Sequence, residues 1–353
     1  MLTRIEIDGF KSFLDFELDV PPFLALVGPN SSGKSNLLDA LAFARAALLA
    51  DRWKGRASLE DPLLDARRGK PQELFHRPLG QRSVADFTIG VRAHVGVQGE
   101  SQSVDALIMA SREDARWEVE AQPAWAMSKV WPEEASSWHF HVPDPAAARR
   151  PVTALDHRPL AENAGNLAAV LGRMAETGEL DDLMVDLSAL VPDVTGVRPV
   201  FDERQEEWSF DILVDHEPMP GRLASDGTLR VLALLAALYD RTSSGLLMVE
   251  EIENGLHPSR LGQLLQRIAQ RVETVGRSWR QVILTTHSPV AVSTLYEMAP
   301  DSLVFLDSAW RTGGGAPRSR VTVAKPVRSE GEPGTFVSPR QVRTYLSTVG
   351  SAP

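Results

Sequence analysis

The sequence predicts an α/β fold: a mixed, parallel core sheet accompanied by an antiparallel β subdomain and a helical insertion. Three observations predict it. A short apolar run, FLALV, enters a glycine-rich loop and then a helical stretch, giving the order strand, loop, helix. Two further apolar runs, GLLMVEE and QVILTTHSP, flank a polar helical segment, as parallel strands joined by a crossover do. Other stretches alternate apolar and polar residues, the period of half-buried antiparallel strands.

Leu2, Ile5 and Ile7, then Phe16, Leu18 and Val20, alternate around the turn GFKSFLD and stop at Pro21-Pro22, which predicts an opening hairpin. Residues 51–82 are charged and broken by Gly and Pro, and are read as connectors and short helices. Residues 87–97 alternate cleanly, and with strand-like stretches at 106–109, 117–119 and 138–142 they are expected to form a small antiparallel sheet. Helices are expected at about 166–177 and 181–190, the second ended by Val191-Pro192. Strands resume at 198–201 and 208–214. The helix VLALLAALY, apolar all round, should be buried. A polar helix spans about 258–275. The last fifty residues hold a strand at 303–306, a glycine-rich turn at 313–315, a strand near Val321 and a helix at about 339–348. Residues 1–353 are read as one domain, with 83–215 inserted within it.

Of the 353 residues 43% are apolar and 24% charged, ordinary values for a folded soluble chain. The longest apolar run, at 231–239, falls far short of the roughly 20 residues that span a bilayer, so no membrane role is expected. The start MLTRIEIDGF alternates where a signal peptide would be basic and then apolar, and a cytoplasmic location is expected. Without cysteine there is no disulfide, thiolate metal site or Cys nucleophile. With 37 basic and 47 acidic residues, the net charge of −10 argues against nucleic-acid binding through the overall field, so any DNA contact must be local.

Gly28-Pro29-Asn30-Ser31-Ser32-Gly33-Lys34-Ser35 fits G-x-x-x-x-G-K-[ST] at every position. The glycines let backbone N–H groups nest around a phosphate, and the helix N-terminus adds its positive dipole end. Lys34 supplies a point charge for the β- and γ-phosphates, and the Ser35 hydroxyl one Mg²⁺ position. LLMVEE is a buried strand ending in two acids: Glu250 is assigned to the Mg²⁺ sphere through water, and Glu251 to positioning or deprotonating an attacking water. The blander reading, a strand ending at solvent, loses weight beside the phosphate loop. His287 follows another apolar strand, where it can hydrogen-bond a γ-phosphate; a lone His is otherwise structural. In LASDGTLR, Ser225 is an ordinary N-cap, yet a helix start with Ser225 and Gly227 also suits an anion, here 25 residues before Glu250.

The order of these four elements, with the opening LTRIEIDGFKSF and the segment EIENGLHP, resembles the ABC-type ATPase heads of the RecF, SMC and OLD group, particularly the stand-alone, arm-less ATPases of bacterial defence and DNA-maintenance operons. The likeness is specific at 28–36, 225–230, 250–258 and 285–289 and weak at 51–211. It implies a P-loop NTPase head of ABC type that uses ATP and Mg²⁺, the nucleotide held by residues 28–36 including Asn36. It also implies that Ser225 and Gly227 reach across a homodimer interface to ATP on the other protomer, and that Glu251, His287 and Lys34 serve hydrolysis. Lys11 and Ser12 match the place where such heads approach the nucleotide. Three positions depart from the pattern: Glu250 replaces the usual Asp, Asp226 the first signature glycine, and His257 an Asp of the transporter dimer loop. The Mg²⁺-sensing glutamine has three candidates, Gln72, Gln81 and Gln122. No sustained heptad is present, so no long coiled-coil arm is expected.

The output is open at this stage. Arg67-Arg68-Gly69-Lys70, Arg149-Arg150 and the arginines at 318–320 are candidates for contacting DNA phosphates, against the plainer reading of solvated charge. The alternative is an ATP-gated scaffold for a separately encoded nuclease or toxin. Only about 65 residues follow His287, too few for an attached nuclease domain. Either output fits anti-phage defence or DNA repair. A transporter ATPase is disfavoured by GFKSF and EIENGLHP, and assembly beyond the dimer stays open.

Overall fold

Strand β1 (Leu2–Asp8) turns into β2 (Phe16–Asp19), antiparallel, with Ile5 opposite Leu18 and Ile7 opposite Phe16. The paired apolar residues are buried and their polar neighbours face out, as the period of two requires. The computed structural model describes residues 1–50, 57–58, 70–97, 100–243, 245–273, 280–313 and 316–349. Strand β3 (Phe23–Val27) is buried at every position and delivers the chain to α1 (Lys34–Leu49). Next come β4 (Ala57–Ser58), β5 (Asp86–Val97), β6 (Glu100–Ser111) and β7 (Arg116–Gln122). The antiparallel sheet exceeds expectation because β5 pairs along β1, giving the order β2-β1-β5-β6-β7-β4. Gly9, at φ +73°, makes this approach: a Cβ there would lie 2.5 Å from the Asp86 carbonyl oxygen. Phe87 of β5 stacks edge-on with Phe10 of the opening turn and Phe43 of α1, at 5.1 and 5.3 Å between ring centroids. The opening turn is thereby packed against α1. Two short helices, α2 (Ala126–Lys129) and α3 (Trp131–Ser136), follow.

The chain divides into two compact units, Met1–Trp138 with Ala299–Pro353, and His139–Met298. Region 83–215 is shared between them. The second unit contains β8 (Trp138–His141) from its second residue on, α4 (Pro145–Ala148), β9 (Val152–Thr153), α5 (Leu167–Thr177), α6 (Leu180–Leu190), β10 (Val194–Asp202), β11 (Glu207–Val214) and β12 (Glu217–Pro220). It continues with α7 (Asp226–Tyr239), β13 (Gly245–Val249), α8 (Pro258–Glu273), β14 (Arg280–Thr286) and α9 (Pro289–Met298). Strands β13 and β14 run parallel, with Val249 opposite Leu284. As its composition demands, α7 is buried on all sides beyond its first turn except at Arg230. The stretch at 138–142 departs from expectation: β8 lies beside β13 instead of joining the antiparallel sheet. Its buried residues, Trp138 and His141, stand three apart, outside the period-two pattern of a half-exposed strand.

The chain then returns to the first unit as β15 (Leu303–Gly313), β16 (Ala316–Pro326) and α10 (Pro339–Val349). Strand β15 lies parallel to β3, with Phe305 opposite Val27. It does not stop at Leu306: it runs on to Gly313 as one arm of an antiparallel hairpin with β16.

The second unit buries charge beside α7. The Arg280 guanidinium donates to the carbonyls of Ala237 and Asp240 at the end of that helix, and burial lowers it to about 10. Burial also pushes the His141 imidazole down to about 3, with His139 and Arg280 adding to the effect. Folded His141 is therefore neutral, whereas the unfolded chain takes up a proton below pH 6.5. Stability from this group is complete above pH 6.5 and is lost as pH falls towards 3, by up to a factor of about ten in the unfolding constant per pH unit. Denaturant melts at pH 7, 6, 5 and 4 should show a shallower loss for His141→Leu than for wild type; parallel curves would contradict this.

Candidate functional site

The phosphate loop joins β3 to α1. Gly33 sits at φ +104°, where a Cβ would lie 2.1 Å from Thr322 Oγ1 of β16. A Cβ on Gly28 would lie 2.4 Å from the Leu306 carbonyl oxygen of β15. Both motif glycines are thus required by the hairpin lying against the loop. Thr322 Oγ1 donates to the Ser32 carbonyl at 3.0 Å and lies 2.8 Å from Ser12 Oγ, which accepts from Asn36 Nδ2 at 2.8 Å. Ser308 Oγ donates to the Ser31 carbonyl at 3.2 Å. The loop's shape is held by side chains from four separate segments.

Lys34 Nζ donates to the carbonyls of Gly28 and Pro29, at 2.6 and 3.0 Å, which holds its charge over the loop. Helix α1 starts from Gly33 with no side-chain cap, so its first-turn N–H groups suit an anion. The buried Ser32 hydroxyl has no hydrogen-bond partner among the described residues. These features fit a polyphosphate: an uncapped helix start, a fixed ammonium and an orphaned hydroxyl within one loop. Ser35, half-buried in the first turn of α1, is the hydroxyl candidate for Mg²⁺. Lys11 and Ser12 lie in the opening turn. Lys11 Nζ is bonded to the buried Asp39 carboxylate of α1 at 2.6 Å, and Ser12 Oγ is linked through Thr322 to the loop.

In the second unit β13 ends at Val249 and the carboxylates follow. Glu250 is buried, its N–H directed to the His141 carbonyl at 3.4 Å. Glu251 adopts φ +49°, a left-handed conformation that costs a non-glycine residue energy. Two contacts hold it there: its N–H donates to Thr285 Oγ1 at 2.8 Å, and its carboxylate accepts from Asn254 Nδ2 at 2.6 Å. His287 Nδ1 lies 2.8 Å from Glu253 Oε1, which also accepts the His287 N–H at 2.6 Å. The ring is half-exposed, and its Nε2 is free for an incoming group among the described residues. Glu251 and His287 are thus placed around one short loop.

Ser225 caps α7, its Oγ accepting from the Thr228 N–H at 3.2 Å, and is exposed with Asp226. A Cβ on Gly227 would lie 2.9 Å from the Gly255 carbonyl oxygen, and one on Gly255 2.8 Å from Arg230 Cδ. The start of α7 and the EIENGLHP loop therefore pack together because both carry glycine. Arg149, a candidate DNA contact, donates to Asp226 at 2.6 Å and to the Ala224 carbonyl at 2.9 Å, bracing that helix start. Residues 67–69 lie outside the described residues. Gln72 and Gln81 are exposed, and Gln122 closes β7.

Sequence reasoning missed Thr322, Thr285 and Glu253. The only sequence signal for them is adjacency to motifs: Thr285 belongs to the TTHS stretch and Glu253 to EIEN.

The family described as "AAA domain, putative AbiEii toxin, Type IV TA system" matches residues 23–94 and 178–293, more than half of the chain. A chromosome partition protein Smc of Methanocaldococcus jannaschii is 47% identical over 60 residues, 15% of this chain and 5% of that protein. The Smc of Aquifex aeolicus is 31% identical over 108 residues, 28% of this chain and 9% of that protein. The chain thus matches less than a tenth of the length of these curated relatives. Among solved structures, an Smc head bound to the C-winged helix domain of ScpA matches with TM-score 0.61 and 14% identity, covering 92% of this chain and 98% of that one. The Pyrococcus furiosus Smc head with an extended coiled coil, bound to the C-terminal domain of ScpA, matches with TM-score 0.62 and 13% identity over 99% of both chains. At these identities the likeness shows the fold, a P-loop NTPase of ABC type with mixed α/β sheets.

Gly33→Ala places a side chain at a strained φ against Thr322. It is expected to cost about 1–3 kcal/mol from backbone strain alone and to lower the melting temperature by several degrees. An unchanged calorimetric midpoint would contradict the close approach.

Proposed function

Because this chain belongs to the AAA domain family, we propose that it is an Mg²⁺-dependent ATPase whose heads dimerise around two ATP molecules, close, and reopen on hydrolysis. The observation that carries the reading is the phosphate loop, in which an uncapped helix start, the Lys34 ammonium and the Ser32 hydroxyl converge. Residues 28–36 hold the triphosphate. Ser35 and Glu250 hold Mg²⁺, which neutralises phosphate charge when bound. Glu251 orients the attacking water; Thr285 braces its left-handed backbone and Asn254 holds its carboxylate. His287, oriented by Glu253, hydrogen-bonds the γ-phosphate, and Lys34 stabilises the charge that develops. Ser225 and Gly227, exposed or half-exposed at the start of α7, serve the ATP of the other protomer.

The switch controls DNA transactions or a separately encoded effector, in anti-phage defence or DNA repair. The family description, which names a toxin of a type IV toxin–antitoxin system, supports a defence setting. A second reading, a scaffold that holds a protein effector without touching DNA, is favoured by the net charge of −10. The Smc heads of similar fold were solved with domains of a protein partner, ScpA, which supports the same reading. A transporter role is disfavoured by the GFKSF opening and by EIENGLHP in place of a transporter-like dimer loop.

Glu251→Gln should bind ATP but turn it over at least about 100-fold more slowly, and light scattering should then show an ATP-dependent dimer. A monomer unchanged by ATP would overturn the two-head reading. Ser225→Arg should retain ATP binding and lose both the dimer and turnover; full activity in this variant would remove Ser225 from the site.

A further inference from the structure

We infer that the stretch of the β15–β16 hairpin that carries Trp310 is a binding surface for single-stranded nucleic acid, centred on that ring. Trp310 is 52% exposed, unusual for so large an apolar ring, and Arg320 is its cross-strand partner. The Arg318 guanidinium stacks over the same ring at 5.1 Å from its centroid. Neither arginine has a carboxylate partner among the described residues, whereas the neighbouring Arg311 is paired with Asp15 at 2.6 Å. The Leu79 N–H is bonded to the Arg318 carbonyl at 2.9 Å, which brings a further exposed segment alongside. There Leu79 is 62% exposed, and Arg77 and Arg82, also exposed, have no carboxylate partner among the described residues. Four unneutralised guanidinium groups and two bare apolar side chains thus gather on a chain whose net charge is −10.

That combination matches one chemistry. A flat ring takes an unstacked base, and guanidinium groups take the phosphates on either side of it. Duplex DNA hides its base faces in the stack, so a single strand is the occupant. The surface also has a defined place relative to the phosphate loop. Ser308 and Thr322, opposite each other in register, bond the carbonyls of Ser31 and Ser32, and Trp310 with Arg320 is the next pair on the same face. The base of a bound nucleotide is therefore the competing occupant. Four cations spread over two segments exceed what one base needs and favour an oligonucleotide. The inference names the partner of the proposed switch and rests on that reading only for its biological setting.

The test is fluorescence anisotropy with a labelled oligothymidylate of about 20 nucleotides, titrated with the full chain at low salt, alongside a separate titration with Mg-ATP. The surface predicts binding that Trp310→Ala and Arg318→Ala/Arg320→Ala each weaken at least tenfold, with melting temperatures and ATP affinity unchanged. The double variant should also reduce the salt dependence, by roughly 0.7 in slope per lost phosphate contact. Arg4→Ala, which removes an arginine paired with Glu6, Glu17 and Asp19, should bind as wild type. The inference is overturned by no binding, by variants that bind as wild type, by duplex bound as tightly as single strand, or by equal competition from polyglutamate or from ATP alone. Oligonucleotide binding without ATP binding would count against the ATPase reading and leave this surface standing.

Discussion

The phosphate loop depends on one close approach, the Thr322 hydroxyl against the α-carbon of Gly33. It excludes any side chain at residue 33, and so permits the positive φ from which α1 starts without a cap. The same hydroxyl donates to the Ser32 carbonyl and meets Ser12, a residue 310 positions away in the chain. Asn36 completes the series from within α1. A hydrogen-bonded chain of Asn36, Ser12, Thr322 and Ser32 thus ties the opening turn, the first helix and the closing hairpin to one loop. Preorganisation of this kind lets backbone N–H groups face a phosphate without the loop having to order first.

The second unit shows the same economy around residues 250–258. Strand β13 ends in buried apolar residues, and the chain turns sharply through Glu251 in a conformation that only its contacts sustain. The Glu253 side chain is only 11% exposed, and its Oε1 both accepts the His287 N–H and lies 2.8 Å from the ring Nδ1, so it acts as a bracket for that ring. Gly255 and Gly227 let this loop and the start of α7 lie within backbone contact. Strain at Glu251 is offset by the rigid parallel pair of β13 and β14 beneath it.

What could be read in advance follows from how local each signal is. The loop 28–35, the acidic strand end and the capped start of α7 are each specified by neighbours in sequence, and periodicity located the hairpin, α5, α6 and α7. Thr322 is an ordinary residue whose role arises from a contact 290 residues away, so no local pattern marks it, and the TTHS stretch that contains Thr285 does not reveal its bond to Glu251, 34 residues away. Lys11 in GFKSF has a partner that no local pattern marks either: the buried Asp39 carboxylate of α1, 28 residues on. The stretch at 138–142 was assigned to the wrong sheet because strand character says nothing about which neighbour a strand finds.

The central claim is that residues 28–36 form an ATP site with Lys34 as its fixed charge. Isothermal titration of Mg-ATP into the purified chain tests it most directly. The account predicts saturable binding of one ATP per chain, abolished in Lys34→Ala with the melting temperature of the free protein nearly unchanged. Absence of binding in the wild-type chain, or equal affinity in Lys34→Ala, would contradict it.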